Sequence, residues 1–71
     1  MKLNEDEQRF LSYLSYKGGS AYLFEIRRAL GLPHTSAWRM AKRLSNMGFI
    51  HTAKVKSGKR ELLKVLLRRR T

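Results

Sequence analysis

Between Pro33 and Arg60 the chain concentrates side chains that bind anions. His34, Thr35, Ser36, Trp38, Arg39, Lys42 and Arg43 fall within ten residues, and Lys54, Lys56, Ser57, Lys59 and Arg60 within seven. An arginine fork can bridge O6 and N7 of guanine, while lysines, hydroxyls and helix-start N–H groups hold phosphates. Catalytic equipment is not visible beside them: there is no paired carboxylate, no nucleophile next to a base and no phosphate loop, so no enzyme is expected. Cysteine is absent, and His34 and His51 have no acid at ligand spacing. Neither a metal site nor another cofactor is therefore expected.

Charge distribution sharpens this reading. The 71 residues carry 16 Lys and Arg against 5 Asp and Glu, a formal charge of +11. From Glu25 to Glu61 no acid interrupts Arg27, Arg28, Arg39, Lys42, Arg43, Lys54, Lys56, Lys59 and Arg60, whereas Glu5, Asp6 and Glu7 crowd the other end. A folded domain with that division has one strongly basic side, the footprint of a polyanion binder. A heat-adapted surface would mix both signs instead.

The elements that must position these groups can be read in order. Asn4 with Glu7 three residues on is a capping box, so a first helix is expected to start there, carry Phe10, Leu11, Tyr13 and Leu14, and stop before Gly18-Gly19. Ser20-Ala21-Tyr22 is ambiguous between a cap and a short strand. Leu23, Ile26 and Leu30 are spaced as a second helix that Gly31 ends. Ala37, Met40, Ala41 and Leu44 make one apolar stripe on a third helix over about 33–47, which Pro33 opens and Gly48 closes. The link between the last two helices is so short that they must cross steeply. Phe49 to Val55 is strand-like, Ser57-Gly58 is a turn, and residues 61–67 return as a strand, although a short helix also fits them. Arg68 to Thr71 form a basic tail expected to fray.

Helix, helix, turn, helix and basic hairpin is the order of a winged helix-turn-helix. Gly31-Leu32-Pro33, Ala37, Arg39-Met40-Ala41, Leu44 and Met47-Gly48-Phe49-Ile50 resemble the DNA-binding domains of IclR-type and MarR-type bacterial and archaeal regulators. The likeness covers roughly residues 5 to 67 and is densest over 23 to 50. It implies an α+β fold, mostly α, in a single domain over 1–71: three helices and a C-terminal β-hairpin wing. It also implies that the third helix enters the major groove of duplex DNA and that the wing, about 54–60, lies on the backbone or in the minor groove. His34, Thr35, Ser36, Trp38, Arg39, Lys42 and Arg43 would then be the recognition surface, and Lys54, Lys56, Ser57, Lys59 and Arg60 the wing surface. In that family a Ser or Thr usually caps the second helix, where this chain has Phe24. Larger regulators add a ligand domain or long dimerisation helices, and these residues include neither, so no small-molecule ligand is expected.

The resulting expectation is a sequence-specific transcription regulator, cytoplasmic and nucleoid-associated, with no membrane span. The alternative is an architectural nucleoid protein that binds DNA without strong base readout. Arg39 is the first choice for base contact, against a phosphate clamp or an ion pair to Glu25. Trp38 is open between a thymine methyl or sugar contact and packing against the wing. Leu62, Leu63, Val65, Leu66 and Leu67 exceed what one strand face needs; with Phe10 to Tyr16 they suggest a homodimer.

Overall fold

The computed structural model describes residues 3–68; Met1, Lys2 and the tail residues Arg69, Arg70 and Thr71 lie outside them. Three helices and three strands follow in the order α1 (Glu5–Tyr16), β1 (Ser20–Tyr22), α2 (Leu23–Leu30), α3 (His34–Asn46), β2 (Ile50–Ser57) and β3 (Arg60–Leu67). This is an α+β winged-helix arrangement, with the C-terminal hairpin as the wing. Asn4 caps α1 as its sequence predicts: the Glu7 N–H donates to the Asn4 side chain (2.8 Å), and the Asn4 N–H donates back to Glu7 Oε1 (3.0 Å).

The ambiguity at Ser20 is resolved by a partner distant in sequence. β1 pairs antiparallel with β3, with Ala21 opposite Val65, so a three-residue segment gains a ladder that its own composition does not specify. β3 is thus the central strand of a three-stranded antiparallel sheet in the order β1-β3-β2, and residues 61–67 are strand rather than helix. The hairpin turn is tight because Ser57 pairs with Arg60, leaving Gly58 (φ 62°) and Lys59 as the two loop residues. Glycine at the first of two loop positions suits a turn whose twist matches the strands.

Pro33 occupies the cap position of α3, with extended backbone, and not the first helical turn. The shift is one residue, and a ring with fixed φ is compatible with either position. The cap of α2 also differs from the expectation. Tyr22 stands there, Phe24 lies in the first turn, and Glu25 Oε2 accepts the Tyr22 N–H at 2.9 Å. Glu25 from inside the helix satisfies the N–H of the cap residue, the half of a capping box that does not need a Ser or Thr, and is committed there rather than to Arg39.

α3 ends on Gly48 (φ 85°), a conformation disfavoured for other residues. The Gly48 N–H donates to the Ser45 carbonyl (3.1 Å) and the Phe49 N–H to the Leu44 carbonyl (3.0 Å), which satisfies the helix end and aims the chain directly into β2. The Arg68 N–H donates to the Phe49 carbonyl at 2.9 Å, so the tail is fastened at its first residue and not frayed there.

The core draws on nearly every element. Phe10 and Leu14 of α1, Ile26 of α2, Leu44 of α3, Ile50 of β2 and Val65 of β3 are fully buried, with Ala37 and Ala41 letting α3 approach closely. Burying each large side chain contributes about 1.5–3 kcal/mol. All three helices lie against the sheet face that carries Ala21, Ile50 and Val65. On the opposite face the register aligns Tyr22, Val55, Leu62 and Leu66, which remain only partly buried.

Candidate nucleic-acid interface

Docking of Ala37, Ala41 and Leu44 into the core fixes which side of α3 faces outward. Arg39 lies two residues beyond Ala37, roughly 200° around the helix, so it points away from the core. Thr35, Ser36, Arg39 and Lys42 are all exposed, as is Asn46, one turn beyond Lys42. Arginine, lysine, hydroxyls and an amide together offer both charge and directional hydrogen bonding, the combination that base edges require. Asn46 was absent from the sequence-based surface, although its spacing from Lys42 and Arg39 (i+4 and i+7) is a readable signal.

α3 and the wing meet along a groove with two depressions. The first, about 280 Å³, is lined by His34 and Trp38 of α3, Phe24 and Arg27 of α2, and Lys54 and Leu62 of the wing. The second, about 340 Å³, is lined by Trp38, Lys42, Ser45 and Asn46 facing Thr52 and Lys54. Trp38 separates the two. It is 47% exposed, and the Lys42 ammonium sits 5.3 Å from its ring centroid, a cation–π geometry. Trp38 therefore neither closes down as core nor stands free: the wing borders it on one side and Lys42 covers it. Phe24, 43% exposed, stacks on Tyr22 with ring centroids 6.0 Å apart.

The hairpin register sorts the wing residues. Lys54 and Lys56 share the helix-facing side with Ile50 and Thr52, while Ser57 and Arg60 share the other side. Convergence with α3 therefore happens at the base of the wing, through Lys54, and not at its tip. Lys56, Ser57, Lys59 and Arg60 are exposed beyond the groove. Arg60 turns toward α2, where it borders a third, open depression with Phe24, Arg27 and Arg28. Arg27 and Arg28, part of the acid-free basic run but not of the expected DNA-binding surface, extend the basic surface here. The wing's charge is also partly answered, since Lys54 Nζ lies 3.6 Å from Glu61.

Arg43 is placed differently from the other cations of α3. Its Nε lies 3.1 Å from Glu7 Oε2, on the side of α3 that faces α1. Among the described residues no group of three or more His, Cys, Asp or Glu is placed to hold a metal ion, and no helix is long and apolar enough to cross a membrane.

No protein-family model matches the chain, and no curated protein matches it. Among solved structures, it is similar to Stf76 from the Sulfolobus islandicus plasmid-virus pSSVx, with a TM-score of 0.80 and 21% sequence identity, over 94% of this chain and 86% of that one. At that identity the likeness concerns the fold: this chain and Stf76 share one compact arrangement of helices and sheet over nearly their whole lengths.

Proposed function

We propose that this protein is a winged-helix DNA-binding protein that reads sequence and regulates transcription. In this reading α3 lies in the major groove, Arg39 contacts a base, Thr35, Ser36, Lys42 and Asn46 contact bases or the flanking backbone, and the wing cations lie on phosphates or in the minor groove. The observation that carries it is the shared groove: Trp38, Lys42 and Asn46 of α3 and Lys54 of the wing border the same depressions, with exposed Arg39, Thr35 and Ser36 outside them on the same helix, inside a stretch where Glu61 is the sole acid and is already paired. A duplex presents two phosphate ridges flanking a readable groove, and this surface offers cations flanking a hydrogen-bonding helix. The reading involves no catalytic step.

The partly buried apolar face of Tyr22, Val55, Leu62 and Leu66 supports a homodimer, which would read half-sites about one helical turn apart. Phe10 and Leu14 do not contribute to it, being spent in the core; on α1 only Tyr16, 84% exposed, remains fully available. Sedimentation at high micromolar concentration tests this, and a monomer there removes the dimer.

An architectural role is the second reading, favoured by Arg27, Arg28 and Arg60, which add charge without base-reading variety. Selection of binding sites from a random duplex pool separates the two. A regulator enriches a defined site; Arg39→Ala relaxes one base-pair position by about 1–3 kcal/mol, and Lys56→Ala weakens all sequences alike. Equal affinity for selected and random duplexes would leave the architectural role.

A further inference from the structure

Among the described residues Glu7 is the one buried charged side chain, only 2% exposed at its side chain, and DNA binding as described above gives it no task. Its two oxygens are both engaged. Oε1 accepts the Asn4 N–H at the start of α1, and Oε2 faces Arg43 Nε of α3. The carboxylate is thus pinned by backbone on one side and presents a fixed acceptor to the recognition helix on the other.

Arg43 is the unequal partner, with 57% of its side chain exposed. A guanidinium has five N–H donors, more than one carboxylate oxygen can take, so donors remain for a second acceptor. Arg43 follows Arg39 by one turn and sits roughly 40° around α3 from it, on the flank of the outward face rather than at its centre. Backbone phosphates stand on that flank when a helix occupies the major groove. A free arginine loses rotamer freedom on binding; one already held by Nε has met that cost in folding.

We propose that Glu7 is a positioning residue for DNA binding: from inside the domain it holds the Arg43 guanidinium so that its remaining donors clasp a phosphate beside the recognition helix. The inference rests on the DNA-binding reading, and α1, which touches no DNA in that reading, takes part through this one carboxylate. A simple staple between α1 and α3 would hold the same atoms together but leave DNA affinity indifferent to Glu7.

A double-mutant cycle distinguishes them, using the whole chain with wild type, Glu7→Gln, Arg43→Gln and the double variant titrated with a selected duplex across a salt series. Arg43→Gln is expected to weaken binding about tenfold, as for one charge-assisted hydrogen bond, and to reduce the salt slope by about 0.9. Glu7→Gln is expected to weaken binding several-fold in the wild-type background and to change nothing in the Arg43→Gln background. Unchanged or tighter binding by Glu7→Gln, or the same loss in both backgrounds, overturns the proposal. Thermal melts confirm that each variant folds; should Glu7→Gln not fold, Glu7→Asp keeps the charge and the backbone half of the cap, from its own N–H to the Asn4 side chain, but draws the carboxylate back from Arg43, and the same pattern is required of it. Wild type failing to bind any duplex would sink the DNA-binding reading itself, whereas wild-type binding without coupling sinks this inference alone.

Discussion

The first turn of α1 and the groove between α3 and the wing are both dense in charge, yet they treat it in opposite ways. At α1, acids are consumed locally: Asp6 lies 3.5 Å from Arg9, Glu7 closes the capping box, and all three acids face the positive end of the helix dipole. In and beside the groove, Lys42 lines it and Arg39 and Lys56 are exposed outside it, and among the described residues the carboxylate ion-paired there is Glu61, with Lys54. Charge that is answered within its own helix, as by Asp6 with Arg9 and by the capping box, serves folding, while Glu7 reaches beyond α1 through its second oxygen. Charge gathered on one surface without an answer costs self-repulsion, and it persists where an external anion offsets it.

That contrast can be broken at several points. The largest effect is expected from salt. If about six phosphates are neutralised, log K falls against log salt with a slope near −5, so raising salt from about 50 to 200 mM lowers DNA affinity about a thousandfold. The same change should raise the melting temperature modestly, because it screens the repulsion among the unanswered cations while the exposed ion pair and short-ranged capping bonds at α1 change little. A flat binding curve across salt would erase the distinction between the two regions. Next in size is Asn4→Ala, which removes a helix cap and should cost about 1 kcal/mol of stability. Denaturant melts would show that loss, while DNA affinity measured well below the transition stays within twofold, about 0.4 kcal/mol. The smallest effect sharpens the comparison from the other side. Glu61→Gln releases Lys54 and should tighten DNA binding, steepening the salt slope by at most about 0.9; weaker binding would mean that Glu61 orients Lys54 rather than competing for it.

Much of this arrangement is legible in the sequence because it is local. The capping box at Asn4, the stops at Gly31 and Gly48 and the apolar stripe of α3 each depend on residues within a turn or two of each other. The outward placement of Arg39 follows from the same stripe. What escaped depends on partners far along the chain. Ser20 to Tyr22 is too short to declare itself a strand until β3 lies beside it, and the pairing of Glu7 with Arg43 joins two helices whose relative placement no periodicity encodes. Arg27 and Arg28 are plain as part of the acid-free run, but their place beside Arg60 depends on how α2 packs against the sheet. The wing's composition was plain, but its division into a helix-facing Lys54 and Lys56 and an opposite Arg60 required the register.

The joint at Gly48 and Phe49 has a mechanical consequence. Phe49 donates to the last turn of α3, begins the wing, and accepts from Arg68 where the sheet ends. Helix and hairpin are therefore joined directly, like the arms of a caliper, with the gap between them defined by hydrogen-bonded backbone. A nucleic acid seated between its jaws has to match that gap or deform to meet it, so local groove width and flexibility would be felt as binding energy even at base pairs no side chain reaches.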